Sequence, residues 1–346
     1  MAAHFKTRQT GVSTSLAAVL TAQAGQRAVA ALGYGLPEGV PHLPWRALLG
    51  GWRPPPGRRC RIWHARRAEE LAFGVLLRDL LRQPWKLVCT VEVEGMDHPL
   101  FRALERRLDA LVVTVPAGLA RARHPRALLI PHGVDTSAFR PAPDREGQWR
   151  ALGLPGRHGI LNVARIRPQK GQDVLVEAAC RVLPRHPEAA LVFAGLITED
   201  NQAFAEGLRR RLAAAGLLER TVFLGHVPAA MIAALYRGAL LYVQCARSEG
   251  FGLTPLEAMA SGTAVVSTRV GAAADLVREG ETGHLCPPDD PEAMAELLEA
   301  RLSDLPGTLA MGRRAREEAV AHHGIEREAS ALLALYDELL TPGAAS

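Results

Sequence analysis

The sequence predicts an α/β protein made of two Rossmann-like domains, each on a parallel sheet, facing one another across a cleft. Short apolar runs alternate with longer amphipathic segments from end to end, as parallel strands alternate with crossover helices. The 346 residues, 48% hydrophobic and 22% charged, are enough for two domains of about 150 residues each. Near the middle the polar, Pro-rich Phe139-Arg-Pro-Ala-Pro-Asp-Arg145 reads as a linker. The expected domains are therefore 1–140 and 141–325, with a final amphipathic segment, 326–346, packing back on the first.

In the first domain the expected strands are Ala28 to Gly33, Arg61 to His64, Lys86 to Val91, Ala110 to Val115 and Leu128 to Pro131. In the second they are Gly159 to Ala164, Ala190 to Ala194, Thr221 to Leu224, Leu240 to Gln244 and Ala264 to Thr268. Each is a short, β-branched or small apolar run bounded by polar or Gly/Pro residues. Only Met1 to Phe5 precedes the Gly11 turn, which is short for an opening strand. Ligands of open parallel sheets sit beyond the C-terminal strand ends, so residues directly after strands carry the most weight.

Composition excludes several classes. No run reaches the roughly 18 apolar residues of a membrane helix, and the polar Gln9 to Ser15 stretch does not have the order of a signal peptide. A cytoplasmic protein is expected. Its five cysteines are scattered without zinc spacing, so they read as reduced packing residues. Charge is uneven: residues 1–140 carry 20 Lys+Arg against 10 Asp+Glu, and residues 141–346 carry 21 against 26. The dense run Arg53, Arg58, Arg59, Arg61, Arg66, Arg67 suits an anionic membrane surface or phosphorylated ligand. Aromatic content of 5% and the lack of a recognised motif argue against nucleic acid.

The chemistry concentrates in Ser248-Glu-Gly-Phe-Gly-Leu-Thr-Pro-Leu-Glu-Ala-Met-Ala-Ser-Gly262. Here a glycine turn opens a helix, and the backbone N–H groups of Gly250, Phe251, Gly252 and Leu253 lie where orphan donors and the helix dipole favour a phosphate. Glu249 precedes the turn and can accept from sugar hydroxyls. Glu257, beyond Thr254, lies about one turn into the helix and can reach a ribose diol. Taken singly, either Glu reads as a cap or a solvated face residue. Arg165 and Lys170, spaced R-x4-K after an expected strand, can neutralise a diphosphate whose charge grows as a glycosidic bond breaks.

Together these residues resemble the E-x7-E motif and preceding R-x4-K of retaining glycosyltransferases with the GT-B fold, the family-4 type. Gly262 to Gly271 and Glu279 to Leu285 resemble the strand and loop that close that family's donor pocket. Ile130-Pro-His-Gly-Val-Asp135 is similar to its interdomain stretch, with His132 where Asn is commoner. The resemblance implies backbone contacts to the donor at Gly11 and Val12, although Ser13 or Thr14 also fit as plain N-caps, and to the nucleotide base near Gly225 and Val227. It implies a histidine after the Val88 strand, where this chain has Glu92; Glu92, Glu94 or His98 takes over that contact, or it is lost. Arg61-Ile-Trp-His-Ala-Arg-Arg67, Thr10-Gly11-Val12 and Gly33-x-Gly35-Leu36-Pro37 are similar to lipopolysaccharide core mannosyltransferases.

That similarity implies GDP-mannose as donor and an anionic lipid-linked saccharide as acceptor, met by His64, Arg66, Arg67, Glu92 and His98. No Asp-x-Asp motif follows an expected strand and Arg165 with Lys170 can supply the positive charge, so no metal or other cofactor is expected. The family mechanism implied is front-face displacement without a protein nucleophile, with double displacement through Glu249 as the alternative. The basic patch suits peripheral contact with the inner face of the cytoplasmic membrane. Alternatives in the same fold are a sugar-nucleotide epimerase or hydrolase, a family-4 transferase using a UDP-sugar, and a non-catalytic binding homologue.

Overall fold

The computed structural model describes residues 1–5, 11–35 and 39–341, without the side chains of Gly11 and Val12. The chain forms two compact units, Met1–Gly133 with the segment from His323, and Val134–His322.

The first unit holds the strands β1 (Ala2–His4), β2 (Ala31–Gly33), β3 (His42–Leu43), β4 (Arg61–Ala65), β5 (Trp85–Val91), β6 (Ala110–Val113) and β7 (Ala127–Leu129). They form one parallel sheet in the order β3-β2-β1-β4-β5-β6-β7. β1 is only three residues long, yet it lies between β2 and β4 with all three residues buried. The inner strands read as apolar runs rather than alternations because helices cover both faces of the sheet. One face packs Trp63, Leu71, Leu87, Met96 and Phe101. The other packs Ile62, Val88 and Val112 with Val19 of the helix Gly11–Ala24 and with Leu332, Leu335 and Leu339 of the helix Ile325–Leu340.

The second unit holds β8 (His158–Val163), β9 (Ala189–Ala194), β10 (Thr221–Gly225), β11 (Leu241–Gln244), β12 (Ala264–Thr268) and β13 (Gly283–Cys286). They form a parallel sheet in the order β10-β9-β8-β11-β12-β13. Its core runs through Ile160, Leu175, Leu191, Val243 and Val266 to Met294 and Leu298. Both sheets reverse their winding between a first and a fourth strand, β1/β4 and β8/β11, and such switch points hold ligands beyond the strand ends.

The expected linker at Phe139 to Arg145 is instead packed within the second unit, and this is a correction. Arg145 donates to Gly262 O at 2.6 Å, to Ala239 O and to Thr263 Oγ1 at 3.1 Å, and its burial brings the guanidinium down to about 10. Phe139 rests edge-on against Tyr236, and Arg316 donates to its carbonyl at 2.7 Å. Proline and polar residues signalled a flexible joint, but the two arginines give this segment long-range partners. The stretch after Glu279, read as loop, ends in β13, which pairs with β12 from Val265↔Gly283 to Thr268↔Cys286.

Candidate functional site

The switch point of the second unit is built from the turns after β8 and β11. After β8 the chain runs through Arg165 to Lys170 and turns at Gly171, whose φ is 66°. A Cβ at Gly171 would stand 1.8 Å from Cys245 O, so only glycine lets this turn approach the end of β11. The two turns are then joined by polar contacts. Arg247 N donates to Gln169 O at 2.9 Å, Gln169 Nε2 donates to Ser248 Oγ at 2.9 Å, and the Arg247 guanidinium grips Asp173 in a bidentate pair at 3.0 and 2.9 Å. The Lys170 ammonium pairs with the Glu249 carboxylate. Sequence spacing placed these two 79 residues apart; the crossover topology makes them neighbours.

Beyond Glu249 the turn is held from two sides. Gly252 takes φ 89°, and a Cβ there would meet Gln244 Nε2 at 3.1 Å and Glu249 Cγ at 3.2 Å. Gly271 takes φ 59°, with a Cβ position 2.7 Å from Phe251 O and 3.2 Å from Glu249 Cβ. Phe251 is buried and its carbonyl accepts from Ala272 N at 2.8 Å. The helix Leu253–Ala260 then begins with no side-chain cap. Its first N–H groups, beside Gly250 at the turn, keep the positive end of the helix dipole for an anion.

Two tyrosines fix this helix from below. Tyr242 Oη donates to Thr254 Oγ1 at 2.7 Å, and Tyr236 Oη donates to Glu257 Oε2 at 3.0 Å. Burial pushes the Glu257 carboxyl up to about 7, the tyrosine bond opposing the shift. A carboxyl so poised accepts a diol strongly only when ionised. Arg165 is exposed, and among the described residues its side chain has no partner. Gly225, at φ 68°, ends β10 where its register with β9 shifts, and Gly195 N donates to its carbonyl at 2.8 Å. Val227 is half-buried just before the helix Ala229–Gly238 that carries Tyr236.

In the first unit the corresponding turn follows β4. Arg66, Arg67 and His98 line one cavity of about 190 Å³ with Cys89, Val91 and Phe101. Three of the five residues expected to meet an acceptor are thus together. His64 is not among them: it is buried, Nε2 lies 2.8 Å from Thr90 Oγ1 and Nδ1 2.5 Å from Tyr336 Oη. Burial holds it well below its usual range, so it is a neutral core histidine. The expectation that His64 grips an anion is corrected, because the pleat turns its side chain toward the C-terminal helix.

Arg66 lines the cavity but is largely committed beneath it. It donates to Ser15 Oγ at 3.1 Å and pairs with Glu328 at 3.5 Å, both partners being buried. Glu328 also accepts from His132 Nδ1 at 3.0 Å and Gly133 N at 2.8 Å. Those partners hold its carboxyl below the usual range against the opposing desolvation. Glu92 lies 3.9 Å from His132 Nε2, on the margin of this network.

Gly11 and Val12 open the helix Gly11–Ala24. Their side chains and the Lys6 to Thr10 stretch, and with them the predicted glycine-loop contacts, lie outside the described residues.

Sequence reasoning missed Glu70, Glu328, Gln172 and the Arg247–Asp173 pair. Glu70 had a signal: it stands at the third helical position after Arg67, where a carboxylate reaches back to orphan N–H groups. It accepts from Arg66 N at 2.8 Å and Phe5 N at 3.2 Å, joining the ends of β1 and β4. Gln172 fixes the Arg165 carbonyl at 3.0 Å. The partners of Glu328 are up to 262 residues away, and no local pattern marks them.

A family model described as glycosyl transferases group 1 matches residues 148–318. Over its full length the chain is similar to two curated proteins. The lipopolysaccharide core biosynthesis mannosyltransferase LpcC of Rhizobium leguminosarum bv. viciae is 43% identical over 342 residues, covering 98% of this chain and 96% of that one. The lipopolysaccharide core biosynthesis mannosyltransferase LpsB of Rhizobium meliloti strain 1021 is 38% identical over 345 residues, covering 98% and 97%. Among solved structures, Anabaena Alr3699/HepE in complex with UDP and glucose matches 97% of this chain and 98% of its own at a TM-score of 0.83 and 17% identity. The fold is therefore GT-B.

Proposed function

This chain belongs to the group 1 glycosyl transferases, and from that premise we propose that it moves mannose from GDP-mannose, with retention at the anomeric carbon, to an anionic saccharide carried on a lipid, as in the lipopolysaccharide core. The names of the two full-length relatives support the sugar and the pathway. One observation supports the donor site above the rest: the Lys170–Glu249 pair at the β8/β11 switch point, beside an uncapped helix N-terminus.

In this reading the donor diphosphate lies against the N–H groups of Gly250 to Thr254, with Lys170 and Arg165 taking up the charge that develops as the glycosidic bond breaks. Stabilising a leaving group this way acts in the transition state and so raises turnover rather than mere affinity. Glu249 accepts from the hexose hydroxyls and positions Lys170. Glu257 accepts from the ribose diol, and backbone groups near Gly225 and Val227 frame the base. The departing diphosphate oxygen takes the proton of the acceptor hydroxyl as it attacks on the same face, so bond breaking and bond making balance without a protein nucleophile. Arg67 and His98 meet the acidic part of the acceptor at the cavity of the first unit, and the lipid keeps the protein at the inner membrane surface.

Calorimetry tests the donor: GDP-mannose is expected to bind, UDP-glucose and UDP-N-acetylglucosamine to bind far more weakly, and Lys170→Ala to weaken GDP-mannose binding far less than it slows transfer. Preference for a UDP-sugar would overturn mannose while keeping the transferase. Donor turnover without acceptor would replace transfer by hydrolysis or epimerisation.

A further inference from the structure

Large apolar side chains stand out to solvent in a group on the first unit. Leu49 is 77% exposed, Leu80 70% and Trp52 50%, with Leu76 and Leu81 close behind. They come from two segments, the turn of helix Trp45–Gly50 with Trp52 just after it, and the helical turn Leu76–Leu80 with Leu81 just after it. These segments lie side by side. Trp52 Nε1 donates to Leu81 O at 2.8 Å and Gln83 Nε2 donates to Leu48 O at 3.1 Å. Gly51 packs so closely that a Cβ would stand 2.2 Å from Gln83 Oε1. Their exposure is therefore held by the fold rather than left by a slack loop. The Trp52 N–H is satisfied while half its surface faces outward, as suits a polar–apolar boundary.

The charge around these residues is mostly positive, and the carboxylate of the second segment, Asp79, is taken up by Arg78 and Arg107. From Gly39 to Ala68 there are seven arginines and no Asp or Glu, and Arg46, Arg53, Arg59 and Arg82 are exposed. Arg82 adopts φ 51° directly after Leu81, which turns the chain at the edge of the patch. Exposed apolar side chains with exposed arginines next to them in the chain match a bilayer whose headgroups are anionic and whose interior is hydrocarbon. A second copy of this chain would bring the same arginines against one another.

We propose that this surface seats the first unit on an anionic lipid membrane, with Leu49, Trp52, Leu80 and Leu81 entering the headgroup–acyl boundary and Arg46, Arg53, Arg59 and Arg82 contacting lipid phosphates. This rests on the reading of a lipid-linked acceptor and gives that reading a defined docking face.

The test is co-sedimentation of the full chain with phosphatidylcholine vesicles made with and without phosphatidylglycerol. Wild type is expected to bind the anionic vesicles and not the neutral ones. The triple variant Leu49→Ser, Trp52→Ser, Leu80→Ser should bind about tenfold more weakly for each side chain removed. Arg46→Ala, Arg53→Ala, Arg59→Ala should weaken binding by ~5-fold per arginine, an effect that high salt erases in the wild type. In a separate measurement, brominated lipid should quench the wild type but not Trp52→Phe to the same extent. Undiminished vesicle binding by the apolar triple variant, or no binding by the wild type, overturns the proposal. A wild-type dimer that the triple variant converts to monomer, without vesicle binding, assigns the patch to a second copy and overturns it too. GDP-mannose calorimetry on the same proteins separates the readings: the triple variant should keep the donor, and a wild type that binds vesicles but no GDP-mannose would remove the donor assignment while leaving the surface.

Discussion

Replacing Glu257 with Gln should stabilise the second unit while impairing donor binding. The carboxyl ordinarily titrates near 4.5, and burial raises it to about 7 in the folded chain. Between those values the folded state holds a proton that the unfolded state has released, so stability falls as pH rises across the window. The rise from 4.5 to about 7 corresponds to roughly 3 kcal/mol above pH 7. The amide introduced by Glu257→Gln carries no charge to desolvate and can still accept from Tyr236 through its oxygen. The variant and wild type should therefore be about equally stable near pH 4.5, and the variant ahead by roughly 3 kcal/mol at about pH 8. At ~2 kcal/mol/M this moves the urea midpoint by about 1.5 M. Urea unfolding across this pH range, followed by circular dichroism, reads the gap. A gap that does not grow with pH, or a less stable variant on the alkaline side, would refute the reasoning. Donor affinity in the wild type should rise as pH passes about 7, because the ribose diol donates to the ionised form.

Lys170→Ala should lower transfer by ~10²–10³ with the fold unchanged, and wild-type rates would remove Lys170 from the chemistry. Gly171→Ala should lose about 1–2 kcal/mol from its left-handed φ alone, and more because its Cβ meets Cys245 O at 1.8 Å; an unaltered melt would count against that close approach. Glu328→Gln should destabilise the first unit by about 3–5 kcal/mol, since Arg66 is left buried without a carboxylate. Because the Glu328 carboxyl is held low, its stabilisation is present above the ordinary glutamate value and lost as pH falls through the folded one. The difference between variant and wild type should close in acid, which pH-dependent denaturation measures.

The strands that were easiest to read are those covered on both faces. Ala189–Ala194 and Ala264–Thr268 are fully buried, and burial on both sides imposes continuous apolar character that a sequence displays openly. The short edge strand His42–Leu43 is partly exposed and carries no such pattern. The stretch Phe139 to Arg145 misled for a related reason. Its prolines mark an absence of regular structure, which a linker and an irregular segment pinned by Arg145 and Arg316 share equally. At the candidate site, the glycine turn and the helix carrying Glu257 were legible because a glycine-rich turn followed by helix formers marks a helix start locally. His64 was misread because its fate depends on which sheet face it occupies and on Tyr336, 272 residues away.

What the sequence by itself determined is what local pattern and composition set: parallel strands and crossover helices, a helix opening at the glycine turn, and the surplus of positive charge in residues 1–140. Only the tertiary structure decided which charges meet. It joined Lys170 to Glu249, sank Arg66 beneath its cavity against Glu328, and left Leu49, Trp52 and Leu80 facing outward among arginines. The physical reason is that crossover connections bring the ends of nonadjacent strands together at a switch point, and the resulting partners and burial are properties of the sheet order, not of any stretch of chain.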